Sequence, residues 1–283
     1  MLLAVLLPLA AGLSTGDLVD PRLTDPGLPD TGLWTPDPIR PDPQAPPTLE
    51  EDRLTVCLKQ ARTDPATAIV TASRWIGEAS GAELAFPRQC LGMAYTRLLR
   101  WDAAERAFLD ARDAALPESH SMRAKLAAMA GNSALAGGSN AAALADLDLA
   151  VQDAAAAGDT VMGGEIQIDR ARALVALERT AEAGTALADA RRDAPQNSDA
   201  WLLSATLSRR NDDLATAQSQ IQTAASLDPT NPDIGLEAGL IAALAGNEGA
   251  ARKSWQSVLD MAPGTPEAET ARSYLDQLDG AQG

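Results

Sequence analysis

The sequence predicts an all-α protein built on a repeated helical pattern, and three observations predict it. Hydrophobic residues make up 46% of the chain but aromatic residues only 3%, so Ala and Leu must supply most of the core. Ala is the strongest helix former and has the thinnest helix-compatible side chain, which favours helices packed at close range. From about Leu49 to Leu278 apolar residues recur at helical spacing, interrupted regularly by Gly, Asn, Asp and Pro. Through the same span, an Ala followed by a larger residue four positions on, then a small one three further on, returns again and again.

The front of the chain stands apart from this pattern. Residues Met1 to Leu13 read MLLAVLLPLAAGL, an apolar stretch ending in small residues that suits the core of a secretory signal peptide, with cleavage expected near Ala11 or Gly12. It is too short to span a membrane, which takes roughly 20 apolar residues. Residues 14–48 then form a Pro/Asp-rich linker. Nine prolines from Pro21 to Pro47 remove backbone donors and fix φ, so neither helix nor sheet can propagate, and an extended, disordered tether is expected. Leu33, Trp34 and Ile39 are the candidate anchors within it.

Residues 49–279 carry the repeat. Its clearest copy has Leu91-Gly92, Tyr95, Ala104, Phe108 and Ala111. Ala143, Leu147 and Ala150 show the same spacing, as do Ala183, Leu187, Ala190 and Pro195. So do Ala217, Ile221, Ala224 and Pro229, with Trp201 ahead of them, and Ala251, Trp255, Val258 and Pro263. A weaker copy has Ala68, Ala72 and Trp75. The leading Ala of each copy lies at 68, 104, 143, 183, 217 and 251, so successive copies are offset by 36, 39, 40, 34 and 34. This pattern resembles the tetratricopeptide repeat, W-x2-L-G-x2-Y, then A-x3-F-x2-A, then P, with its period of about 34.

The resemblance implies a right-handed α-solenoid of about six helix-turn-helix repeats, near 49–80, 83–117, 119–157, 160–195, 197–229 and 231–263, with a capping helix over 266–279. Positions four and seven apart share a helix face, so small residues there let helices approach and the large one fills the gap between repeats. One pair cannot bury its face alone, but several in series can. Gly92, Gly131 and Gly239 are expected to serve close contact in the first helices, and Pro195, Pro229 and Pro263 to end the second. The longer middle intervals place insertions at Gly137-Gly138-Ser139 and at Gly158 to Gly164, which should lengthen turns or helix ends. Met162-Gly163-Gly164 reads as a turn or helix break.

The two cysteines, Cys57 and Cys90, fall in the first helices of neighbouring repeats. Such helices pack at roughly 8–10 Å. A disulfide needs Cα atoms within about 7 Å, so this register is compatible with one and export would favour it. Two buried thiols remain the alternative.

Chemistry is hard to find. The one His, His120, sits in a Pro-Glu-Ser-His stretch that reads as a solvated turn between repeats, and with two cysteines it makes no zinc set. There is no Ser-His-Asp constellation, no Walker sequence and no G-x-G-x-x-G. No cofactor is expected, and no enzyme activity. The net charge of −16 argues against nucleic acid and against anionic membrane surfaces as partners.

In tetratricopeptide proteins the first helices line a concave groove that holds a peptide or helix. Carried over by register, the groove residues here are Gln89, Met93, Asn132, Ile168, Arg172, Leu202, Thr206, Arg209, Leu236 and Leu240. Ala128 stands where a C-terminal-carboxylate clamp would need Lys. Arg172 and Arg209 could grip a carboxylate, or could pair with neighbouring acids. The expectation is a non-enzymatic scaffold for a peptide or protein partner, periplasmic or otherwise exported, with a cytoplasmic location second. The alternative is a structural subunit of an envelope assembly (cell-wall, outer-membrane or cytochrome maturation machinery) that contacts partners by its convex face or ends.

Overall fold

The computed structural model describes residues 48–280. The apolar stretch 1–13 and the candidate anchors Leu33, Trp34 and Ile39 lie outside the described residues. Among the described residues there are thirteen α-helices, one short 3-10 helix (Gly81–Leu84) and no strand. The first six pairs are α1 (Leu49–Thr63) with α2 (Pro65–Glu78), α3 (Ala85–Arg97) with α4 (Trp101–Ala114), α5 (His120–Ala136) with α6 (Asn140–Ala156), α7 (Thr160–Ala176) with α8 (Thr180–Asp193), α9 (Ser198–Arg210) with α10 (Leu214–Leu227), and α11 (Pro232–Leu244) with α12 (Glu248–Met261). The last helix is α13 (Pro266–Gly280). Each helix packs on its chain neighbours, and α1, α5, α7, α9 and α11 also touch the next pair's first helix, or α13 at the end. That contact pattern is an α-solenoid, with repeats meeting only their neighbours.

Local chemistry sets the helix boundaries. Thr48 and Glu51 form a capping box on α1: the Glu51 backbone N–H donates to Thr48 Oγ1, and the Thr48 N–H donates to Glu51 Oε2 at 2.6 Å. Asp64, Asp159, Asn197, Asp213, Asn231 and Asn247 accept backbone N–H bonds at the starts of α2, α7, α9, α10, α11 and α12. Pro65 and Pro232 occupy first-turn positions, where a missing N–H costs nothing. Within repeats two to six the turn from first to second helix places one residue at positive φ. Gly138 and Gly246 fill that slot in two repeats, and Leu99, Glu178 and Asp212 fill it in the other three.

The core between paired helices follows the small–large logic. A Cβ on Gly92 would stand 2.7 Å from the Phe108 ring, and one on Gly131 would stand 2.6 Å from Leu147 Cγ. The Trp255 ring covers Gly239 in the same way. The glycines are therefore the space into which the large residue of the second helix fits. Trp255 also donates its ring N–H to the Leu236 carbonyl at 3.2 Å, so its polar end is satisfied in the core. Between the fourth and fifth repeats, Trp201 donates to the Pro195 carbonyl at 2.9 Å, and Arg191 lies over its ring.

One local expectation resolves between its two alternatives, and two change. The longer middle intervals do not lengthen the turns; they extend α5, α6 and α7 to 17 residues each, against 13 to 15 for the other α-helices. Gly163 and Gly164 do not break a helix but lie in the second turn of α7. Gly164 is buried, and a Cβ there would stand 2.8 Å from the Ala194 backbone nitrogen, so the glycine permits the close approach of that helix end. His120 is not a solvated turn residue: it is the first residue of α5, half-buried, with Nδ1 enclosed and without a hydrogen-bond partner.

Candidate functional site on the first helices

The first helices α5, α7, α9, α11 and α13 follow one another along the solenoid and share one face. Polar bonds link them in series. Asn132 on α5 donates to Asp169 on α7 at 2.8 Å. Arg172 on α7 pairs with Asp169 on its own helix and reaches Asp199 on α9 at 3.1 Å. Arg209 on α9 grips Glu237 on α11 through two bonds of 2.6 and 3.2 Å. Both arginines named from register are thus engaged within the solenoid: Arg209 forks onto one carboxylate, and Arg172 bridges two.

The other register residues divide. Leu202 and Thr206 on α9 and Leu240 on α11 are half-buried, as are Gln89 and Met93 on α3, which precedes this series. Thr206 donates its hydroxyl to the Leu202 carbonyl of its own helix at 3.1 Å. Ile168 and Leu236 are buried. Ile168 packs with Ala190 and Ala200, and Leu236 packs with Trp255 and Ala271, so both belong to the core.

Register alone missed the acids. Glu165, Asp199, Asp233 and Glu267 follow one another at equal intervals of one repeat period, one on each of α7, α9, α11 and α13, in the same slot of four successive first helices. The interval is visible in the sequence, and its sense comes from the electrostatics. Although Asp233 and Glu165 are exposed, partial desolvation by the packed helices raises the Asp233 carboxyl above its ordinary pKa, and Glu267 and Asp199 push it further. Partial desolvation raises Glu165 too, reinforced by Asp159 and Asp169. Carboxylates from consecutive repeats thus crowd Asp233, acids of α7 and its cap crowd Glu165, and Arg172 and Arg209 are already engaged by Asp169, Asp199 and Glu237.

Little else on the described surface is organised for chemistry. Among the described residues no group of three His, Cys, Asp or Glu side chains could hold a metal ion. An open recess of roughly 430 Å³ lies on α13 against Glu269, Arg272, Ser273, Asp276 and Gln277. A smaller one of roughly 300 Å³ lies between α1 and α2, against Arg53, Val56 and Trp75. Near it, Cys57 on α1 and Cys90 on α3 bring their sulfurs to bonding distance, with Cα atoms 6.0 Å apart. No described helix is long and apolar enough to cross a membrane.

No protein-family model matches the chain, and no curated protein matches it in sequence. Solved structures match its fold. PilW, a widely conserved type IV pilus biogenesis factor, is similar over 80% of this chain and 99% of its own, at 16% identity and a TM-score of 0.63. PilF of Pseudomonas aeruginosa is similar over 80% and 99%, at 13% identity and a TM-score of 0.60. TTC0263, a thermophilic TPR protein of Thermus thermophilus, is similar over 68% and 98%, at 19% identity and a TM-score of 0.53. Six nested helix pairs, a closing helix and these neighbours together give the chain the tetratricopeptide-repeat fold.

Proposed function

We propose that the chain is a non-enzymatic scaffold that holds a peptide, or an extended segment of a partner protein, against the face of its first helices. The observation that carries this reading is the row of carboxylates at Glu165, Asp199, Asp233 and Glu267, which returns once per repeat across four helices. A segment bringing Lys or Arg side chains to that row would relieve the crowding that raises Asp233 and Glu165. The same charge disfavours a C-terminal carboxylate as the ligand. Gln89, Met93, Leu202 and Leu240 would give the partner a partly apolar floor. Ile168 and Leu236 support that floor from beneath, and Arg172 and Arg209 hold the carboxylates in register.

The organisation proposed for the whole chain is a signal peptide over 1–13, a Pro/Asp-rich linker over 14–48 and the solenoid over 49–279. Export to an oxidising compartment such as the periplasm would suit a bond between the juxtaposed Cys57 and Cys90. A second reading is a structural subunit of an envelope assembly that binds through its second-helix face or its ends. The fold it shares with PilW, a pilus biogenesis factor, favours that reading.

Selection of displayed 12-residue peptides against the full chain separates the two. The scaffold reading expects Lys- and Arg-rich peptides to be selected. It also expects Glu165→Lys/Asp233→Lys, at two exposed positions, to weaken their binding at least tenfold, while Asp110→Lys/Gln152→Lys on the second helices leaves it unchanged. Equal loss in both variants, or selection of acidic peptides, would overturn it.

A further inference from the structure

The second helices of the second and third repeats hold a charge arrangement that the binding face does not use. On α4, Glu105 and Arg112 are seven residues apart; on α6, Asp146 and Asp153 are also seven apart. Positions seven apart fall on one helix face two turns along. Both helices are second members of their pairs and run in the same direction. Arg112 Nε donates to Asp153 Oδ2 at 2.8 Å, which fixes the register between them. Glu105 therefore stands level with Asp146, two turns nearer the helix starts. One rung is an ion pair and the other is two acids.

The acid rung is buried on the α6 side. Asp146 is 5% exposed, and its Oδ2 is enclosed without a hydrogen-bond partner. An ionised carboxylate in that position has no donor for Oδ2 and little access to water. The corresponding residues one repeat away are Ala107 on α4 and Ala186 on α8, both buried and both neutral. The charged groups around Asp146 come from each helix packed there. Glu105 on α4 is flanked by Asp102 and Arg106, and Arg112 lies on the same helix. Arg123 on α5 contacts Asp153 at 3.5 Å and donates to the Arg112 carbonyl. Arg170 on α7 is held by Asp148 at 2.6 Å. Arg112 and Arg123 are thus bonded to Asp153, and neither makes a direct bond to Asp146.

We propose that a proton on Asp146 locks the seam between the second and third repeats, and that its loss loosens α4 from α6. With the proton, the buried carboxyl is neutral beside Glu105 and the two second helices close. Without it, the charge on Asp146 is left poorly solvated beside the half-buried Glu105, and the favourable response is to admit more water. The seam also joins the repeats that carry Cys57 and Cys90 to the repeats that carry the acidic face. Loosening it would let the first two repeats move as a unit.

The sense of the pH dependence follows from the environment. Burial raises the Asp146 carboxyl from its ordinary 3.8 to about 7; Glu105 adds to the rise and Arg112 opposes it. A raised carboxyl stabilises the closed seam fully below the ordinary carboxylate range. That contribution declines as pH rises and is lost once pH passes about 7. From pH 5.5 to 8.5 the opening equilibrium should grow on the order of thirtyfold.

Hydrogen exchange of the full chain, followed by mass spectrometry at pH 5.5 to 8.5 with times corrected for intrinsic rates, tests this. Peptides from α4 and α6 should lose protection relative to those from α10 and α12, and Asp146→Asn should abolish that difference. If wild type shows no selective loss, or Asp146→Asn keeps it, the proposal fails. Should the Asn variant not fold, Glu105→Gln serves in its place. Removing the like charge should move the midpoint of the loss to lower pH, and an unmoved midpoint overturns the proposal.

Discussion

The seam between the second and third repeats and the seam inside the sixth solve the same packing problem with opposite chemistry. In the sixth repeat Trp255, Val258 and Leu236 close α11 on α12 with apolar bulk, and the ring N–H of Trp255 finds a carbonyl. Between the second and third repeats, Arg112, Arg123, Asp153 and Asp146 occupy positions that a solenoid could fill with Leu or Ala. The apolar seam gains from every methylene removed from water. The polar seam holds its geometry only while each charge keeps its partner, and Asp146 has none. One repeat pattern therefore tolerates both, but only the polar version makes stability depend on partners and on pH.

The contrast can be broken most severely at the apolar end. Trp255→Ala empties the space over Gly239 and should cost about 4 kcal/mol in urea unfolding, with the loss centred on α11 to α13. A cost below about 1 kcal/mol would mean that this seam does not depend on the ring. The next effect concerns the Cys57–Cys90 pair, 33 residues apart. As a closed bond it should contribute about 3.7 kcal/mol on loop-entropy grounds, lost in Cys57→Ser/Cys90→Ser. Non-reducing mass spectrometry of exported protein should show a mass two hydrogens below the reduced form, and free thiols there would refute the bond.

At the polar seam, Arg112→Ala leaves Asp153 with Arg123 alone. It should cost about 3 kcal/mol, while replacing Arg112 and Asp153 together by Met and Leu should cost much less. If the double replacement costs as much as the single one, the charges are doing more than filling the seam. The smallest change is in a turn. Leu99 is exposed at φ 57, where Gly138 and Gly246 serve the matching turns of other repeats. Leu99→Gly should raise stability by up to about 1 kcal/mol in thermal melts, and a loss would show that the Leu99 side chain has contacts worth keeping.

Much of the fold was legible because helix packing writes itself into local spacing. Ala104, Phe108 and Ala111 announce a helix face, and Gly92 announces where the ring will rest, without any knowledge of distant residues. Helix length was less legible. Gly158 to Gly164 looked like an interruption, but Gly164 is small for the sake of a neighbouring helix end at Ala194, which lies far along the chain beyond α8. The candidate face was half legible. Register placed Arg172 and Arg209 on it, but not the carboxylates that engage them, because Asp199 and Glu237 belong to adjacent repeats.

By itself the sequence determined the all-α class and the number and the phase of the repeats, and it left Cys57 and Cys90 in a register compatible with a bond. All three rest on short-range periodicity, which fixes which side of each helix is thin and which is bulky. Only the tertiary structure decided which charges are spent and which are left. Asp199, Glu237 and Asp153 acquire their arginines, and Asp146 acquires none, through the spacing between stacked helices. Coulomb interactions and desolvation depend on distance in space and exposure to water, and neither is a property of position along the chain.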